Sequence, residues 1–244
     1  LLFILVVGLS LVSRYSTIGA EDRLLESQKK ITGLTDKLKI YLPHQFVDSL
    51  AKGDRGAESD YKRRRLTIFF SDVQGFTAWT DKLEPEDTRE ILNQYLSEMS
   101  AIANRWGGTI DKFIGDAIMI FFGDPEFTND KDHALRCVKM ALEMQEKMNE
   151  LREEWEDKGH LEPLHIRIGI NTGYATVGNF GSKDRLNYAI LGSAANLALR
   201  LETASNSDKI TISHMTWSLI KNEIACEPKD EIMIKGFSEP VRIY

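Results

Sequence analysis

Residues 109–122 read TIDKFIGDAIMIFF, two apolar runs joined at Gly115-Asp116. A Gly beside an Asp between such runs is a tight-turn signal, so the segment predicts a β-hairpin whose strands must pair antiparallel. The flanking chain adds elements of fixed type. Leu66 to Phe70 (LTIFF) is a continuous apolar run of the kind a buried strand carries. Pro85 suits the first turn of a helix with an apolar stripe of Leu92, Tyr95, Met99, Ile102 and Trp106, stopped by Gly107-Gly108. Asn129 with Asp132 caps a long helix carrying Cys137, Ala141, Met144, Met148, Leu151 and Trp155 on one face, a Met-rich core stripe. Strands follow at Ile166–Ile170 and Ala175–Val177, then a helix near Ala194–Thr203 and short elements to Tyr244. The order is strand, helix, two strands, helix, strand. It predicts an α+β fold: a ferredoxin-like β-α-β-β-α-β antiparallel sheet flanked by helices.

The first sixty residues differ in character. Leu1 to Val12 (LLFILVVGLSLV) is nearly all apolar. As a helix it reaches only about 18 Å, short of a bilayer core of about 30 Å. With no leading Met, and with Arg14 as a cytoplasmic flank, residues 1–18 are expected to be the end of a transmembrane helix. A buried helix end is the competing reading for so short a run. Residues 19–60 predict a coiled-coil signalling helix and a linker. Leu24, Ile31 and Leu38 are seven apart, Leu34 and Tyr41 fill the alternate seam, Pro43 ends the pattern, and Gly53–Asp60 is polar.

Charge and cysteine usage exclude several classes. The 31 Lys+Arg against 37 Asp+Glu give a net charge of −6, which disfavours gripping a nucleic-acid backbone. Cys137 and Cys226 cannot make a disulfide scaffold or a Cys-rich zinc site, and they fit a reducing compartment. The five histidines are scattered without metal-ligand spacing. Neither G-x-x-x-x-G-K-[ST] nor G-x-G-x-x-G occurs, so any phosphate binding uses neither a P-loop nor a Rossmann turn.

Three places could carry chemistry. Asp72 ends the strand run LTIFFS, and Asp116 sits at the hairpin tip beside residues that must be buried. Carboxylates there are costly unless paired or metal-bound, and two hard ligands suit Mg²⁺. Two turn aspartates capping backbone N–H groups are an equal alternative. Asn196 and Arg200 are four apart and share a helix face, so together they suit a phosphoryl group gaining charge. The competing reading is a surface Arg salt-bridged to Glu202 or nearby groups. Lys235 follows the run DEIMI, a predicted strand, where it could reach a phosphate or simply be solvated. The basic run Tyr61–Arg65 reads as lying just before the first strand, a solvated strand entry or a contact with the linker.

From about Leu38 to Tyr244 the chain resembles the catalytic domain of class III nucleotidyl cyclases, particularly bacterial membrane-linked adenylate cyclases. The resemblance rests on five ordered blocks: FFSDVQGFT (69–77), GGTIDKFIGDAIMIFFGDP (107–125), IRIGINTGYATVGNFGS (166–182), YAILGSAANLALRLE (188–202) and IKGFSEPVRIY (234–244). It implies a catalytic domain over 61–244 that converts ATP to 3′,5′-cyclic AMP and pyrophosphate. Asp72 and Asp116 match the metal-binding aspartates, with the Val73 carbonyl completing the set for two Mg²⁺ ions, which Mn²⁺ can replace. Asn196 and Arg200 match the pair that orients the ribose and stabilises the α-phosphate. Lys235 matches a contact to the outer phosphates, and Lys112 an adenine-reading lysine where guanylate cyclases have Glu.

The resemblance also implies a homodimer. One chain would supply Asp72 and Asp116, the other Lys112, Asn196, Arg200 and Lys235, giving two equivalent shared sites. The expected location is the inner or plasma membrane with the catalytic domain in the cytoplasm. Three departures stand out. Ala189 occupies the place of an Asp or Thr that reads the adenine amino group, and a methyl cannot accept that bond. Tyr174 replaces a phosphate-binding Arg of some relatives, and Phe237 a second Lys. A catalytically degenerate nucleotide-binding domain and a cyclase with relaxed ATP/GTP choice are the alternatives.

Overall fold

The computed structural model describes residues 23–37, 61–160, 162–182, 186–237 and 239–244. Residues 23–37 form helix α1, on which Leu24, Leu25, Ile31 and Leu34 are all exposed. The apolar start, and Leu38 and Tyr41 of the heptad pattern, lie outside the described residues. No helix among the described residues is long and apolar enough to cross a membrane.

From residue 61 the order is β1 (Lys62–Val73), α2 (Phe76–Thr80), α3 (Pro85–Arg105), β2 (Thr109–Ile114), β3 (Ala117–Phe122), α4 (Asp130–Asp157), β4 (Ile166–Gly181), β5 (Leu186–Leu191), α5 (Ser193–Ala204), β6 (Ile210–Ile212) and α6 (His214–Ile220). The strands lie in the order β2-β3-β1-β4-β5, antiparallel throughout, with β6 added parallel to the first half of β4.

The apolar run of β1 is continuous because this central strand is covered on both faces. Phe69 and Val73 point to one side, where α3 (Ile91, Tyr95, Met99, Ile102) and α4 (Cys137, Met144, Met148, Leu151) close the larger core. Leu66, Ile68 and Phe70 point to the other side, under Ala194, Ala195 and Ala198 of α5 and Tyr188 and Ile190 of β5. The α4 stripe is buried as expected, and Asn129 caps the helix by accepting from Asp132 N at 2.9 Å. On α3, Ile91 is buried and Leu92 only half-buried.

Three expectations need correction. The two strands anticipated around Ile166–Ile170 and Ala175–Val177 are one strand of 16 residues, because β1 pairs with it without a break from Lys62↔Val177 to Val73↔Ile166. The basic run belongs inside β1: Arg63 lies over the Tyr174 ring, and Arg65 pairs with Asp130 at 2.9 Å. The predicted strand 230–234 reduces to one bridge, Ile232 to Val241.

α5 approaches β4 closely, and glycine is what allows it. A Cβ at Gly169 would lie 2.1 Å from Glu202 N and 2.3 Å from Ala198 O. The helix is therefore seated directly on the strand, with the last turn of its buried face over the start of β4.

Candidate active site

Asp72 is the penultimate residue of β1, where the ladder sets it opposite Arg167 of β4. Arg167 Nη2 lies 3.0 Å from Asp72 Oδ2. Asp116 reaches the same place from the hairpin tip, which Gly115 turns at φ 65. Its Oδ2 accepts from Val73 N at 2.9 Å, pinning the hairpin to the end of β1. The two carboxyl groups are then neighbours. Burial, and after it hydrogen bonding with and repulsion from Asp72, push the Asp116 carboxyl up to about 6. Two carboxylates crowded at one partly buried point are what a hard divalent cation relieves. The donor set fits Mg²⁺, which is satisfied by few protein oxygens. Among the described residues no group of three or more His, Cys, Asp or Glu forms a fuller metal cluster.

The environment of the pair extends inward. Arg167 Nη2 is also 3.0 Å from Glu202 Oε1 on the buried face of α5. Burial raises the Glu202 carboxyl, opposed by Arg167. Glu202 is thus engaged from within the fold, and the reading that paired it with Arg200 on the surface fails. Tyr95, buried on α3, has its hydroxyl pushed up by burial and further by Asp116 and Asp72.

Asn196 and Arg200 are exposed, on the side of α5 turned away from Ala198, Leu201 and Glu202. Residues two apart on a helix differ by about 200° in direction, so Asn196 opposes Ala198 and Arg200 opposes Glu202. Lys235 is exposed too; the preceding Ile234 is buried in a cluster with Leu201 of α5 and Ile243, which anchors its turn to that helix.

Lys112 is placed by a bulge. The β2–β3 register slips between Ile110 and Lys112. The intervening Asp111 carries a side chain with 0% exposure, whose Oδ1 accepts from Ile190 N at 3.1 Å. Its Oδ2 is 3.0 Å from Lys112 Nζ. Burial raises the Asp111 carboxyl, with Lys112 acting against it. The lysine is held toward β5 at the residue following Ala189.

Arg167 and Asp111 escaped the sequence reading, and Glu202 entered it only as a surface partner for Arg200. The signal was present but faint: Arg167 is the one charge in the strand run IRIGI, and Glu202 follows Ala198 by four on an otherwise apolar face.

Comparison with known proteins gives the family. The family described as "Adenylate and Guanylate cyclase catalytic domain" matches residues 59–244. An adenylate cyclase of Anabaena cylindrica is 30% identical over 227 residues, covering 89% of this chain and 44% of that protein. The chain thus spans less than half the length of that relative. Among solved structures, the adenylyl cyclase CyaB from P. aeruginosa is 52% identical with a TM-score of 0.75, over 76% of this chain and 94% of that one. The guanylyl cyclase Cya2 is 38% identical with a TM-score of 0.71, over 75% and 91%. The chain belongs to the class III nucleotidyl cyclases, the adenylate and guanylate cyclase catalytic domain family.

Proposed function

We propose that this chain is an adenylate cyclase, converting ATP to 3′,5′-cyclic AMP and pyrophosphate at sites shared by two copies. The observation that carries the proposal is the opposition across α5. Its buried face reaches Asp72 through Glu202 and Arg167, while its solvent face bears Asn196 and Arg200. A single copy cannot bring these sets around one substrate, whereas an isologous pair brings them together twice. The strand order β2-β3-β1-β4 supports the ferredoxin-like reading of the core.

In this reading the ribose 3′-oxygen attacks the α-phosphorus, its proton leaves, and the bond to the bridging oxygen of pyrophosphate breaks. Asp72, Asp116 and the Val73 carbonyl would hold two Mg²⁺ ions, or Mn²⁺, supplying Lewis acidity at the reacting oxygens. Asn196 orients the ribose. Arg200 stabilises the charge gathering on the α-phosphate, and Lys235 meets the outer phosphates. Lys112 donates to the adenine ring, held for that task by Asp111. Ala189 offers the base no hydrogen bond, so Lys112 carries the choice of ATP over GTP. The bare apolar stripe of α1 supports a coiled-coil linker over 19–60 that joins the 61–244 domains of two copies. An N-terminal anchor over 1–18 would put the catalytic domain at the cytoplasmic face of a membrane.

Complementation tests the shared site. Asp116→Ala and Arg200→Ala should each abolish turnover alone. Mixed after co-expression, they should recover about a quarter of wild-type activity, since half the dimers then hold one intact site. No recovery on mixing, with both variants folded and dimeric, would refute the shared site. Purified protein given ATP or GTP with Mn²⁺ decides the base: GTP turnover equal to ATP turnover would defeat the role given to Lys112.

A further inference from the structure

Arg167 is shared by two carboxylates with different prospects. Asp72 belongs to the proposed metal pair; Glu202 lies behind it, with a side chain only 4% exposed. Both ion pairs, each 3.0 Å, run through the same nitrogen, Nη2. Arg167 Nε is buried and makes no hydrogen bond, and Glu202 Oε1 likewise has none, its 3.0 Å contact with Nη2 being an ion pair without hydrogen-bond geometry. Among the described residues Asp72 and Glu202 are the carboxylates paired with the guanidinium. Strengthening one contact therefore draws on the other. A glutamate is almost never this buried unless paired, and the seat of α5 on Gly169 fixes Glu202 over the start of β4.

We propose that Glu202 and Arg167 together set the affinity of the Asp72–Asp116 pair for a divalent cation. An arginine bound to Asp72 alone would neutralise one of the two carboxylates and repel a cation. Glu202 offsets that charge from the protected side and gives Arg167 a second partner when a cation engages Asp72. With all four groups ionised, the excess negative charge equals that of one divalent cation. Glu202 is thus a positioning and charge-balancing residue, acting through Arg167 without touching substrate. The inference rests on the metal reading of Asp72 and Asp116 given above.

The two partners should act with opposite sign, which a loosened fold could not produce. Mn²⁺ binding to the nucleotide-free protein, followed by electron paramagnetic resonance titration, is the measurement. Glu202→Gln should weaken Mn²⁺ binding by about tenfold and Arg167→Gln should tighten it, with circular dichroism unchanged. Glu202→Asp, which keeps the charge, should restore most of the affinity and serves if Arg167→Gln does not fold. Weakening by both Gln variants, or no effect of Glu202→Gln, would overturn the proposal. Asp116→Asn in the same titration separates the two levels. If wild type binds Mn²⁺ and Asp116→Asn does not, the metal pair stands whatever Glu202 does. If wild type fails to bind, both readings fall.

Discussion

The end of β1 and the outer face of α5 carry the two halves of the proposed site, and they are built in opposite ways. Asp72 and Asp116 are wired into the fold, by Arg167, by Val73 N and by the turn at Gly115. Asn196 and Arg200 stand exposed, and no ion pair holds Arg200 among the described residues. Groups that must sit close together with like charge need the fold to force them there. Groups that meet a substrate from outside need only a rigid helix, and α5 supplies it through Ala194, Ala195, Ala198 and Leu201.

The contrast can be broken at either end. The largest effect is expected at Asp116. Asp116→Ala should lower cyclic AMP formation by about a thousandfold or more while the thermal unfolding transition stays cooperative; unchanged turnover would end the metal assignment. Next is the joint between the two regions. Gly169→Ala places a methyl against the α5 backbone and should destabilise the domain by about 1–3 kcal/mol in urea unfolding, lowering activity as well. Asp111→Asn keeps an acceptor for Ile190 N but releases the Lys112 ammonium. Its ATP over GTP preference in kcat/KM should fall by about tenfold, with Mn²⁺ binding unaltered. A smaller effect is expected from Ala189→Thr, which should sharpen ATP preference by about fivefold by restoring an acceptor.

His133 serves as a control that belongs to neither half. It is buried at the start of α4, accepts from Thr128 N through Nε2 at 3.0 Å, and burial followed by the Arg136 charge lowers its protonation range below the usual 6.5. The unfolded chain then takes the proton first. Stability from this group is present above pH 6.5 and lost as pH falls below it through the lowered range of the folded imidazole. His133→Gln should flatten that part of the stability curve without changing cation affinity.

Much of this was legible in the residues. The Gly115-Asp116 turn, the Asn129 cap and the Met-rich stripe of α4 are local signals, and each appears where periodicity and capping placed it. Asp72 and Asp116 were legible as strand-end carboxylates, but their contact was not, since it depends on one hydrogen bond spanning 43 residues. Thr172-Gly173-Tyr174 looks like a break between strands. Gly173 instead makes room for Ala194, where a Cβ would come within 2.9 Å of the alanine Cβ, and pairing along β1 carries the strand through. Arg167 and Glu202 gave no local hint of their meeting, because α5 returns to β4 only after β5 intervenes. The bulge at Asp111 was hidden for a similar reason: the slip that turns its side chain inward shows only in the register with β3.

One consequence follows from the length of β1. Its 12 residues are bonded to β4 along the whole strand and to β3 over Thr67–Ser71. Antiparallel bonds run perpendicular to the strand, so a force applied along β1 at Lys62 loads them in shear, all together, rather than peeling them one by one. Mechanically the strand is a stiff rod with Asp72 near one end and residue 62 at the other. Any displacement delivered there from upstream would arrive at the carboxylate pair with little lost to stretching.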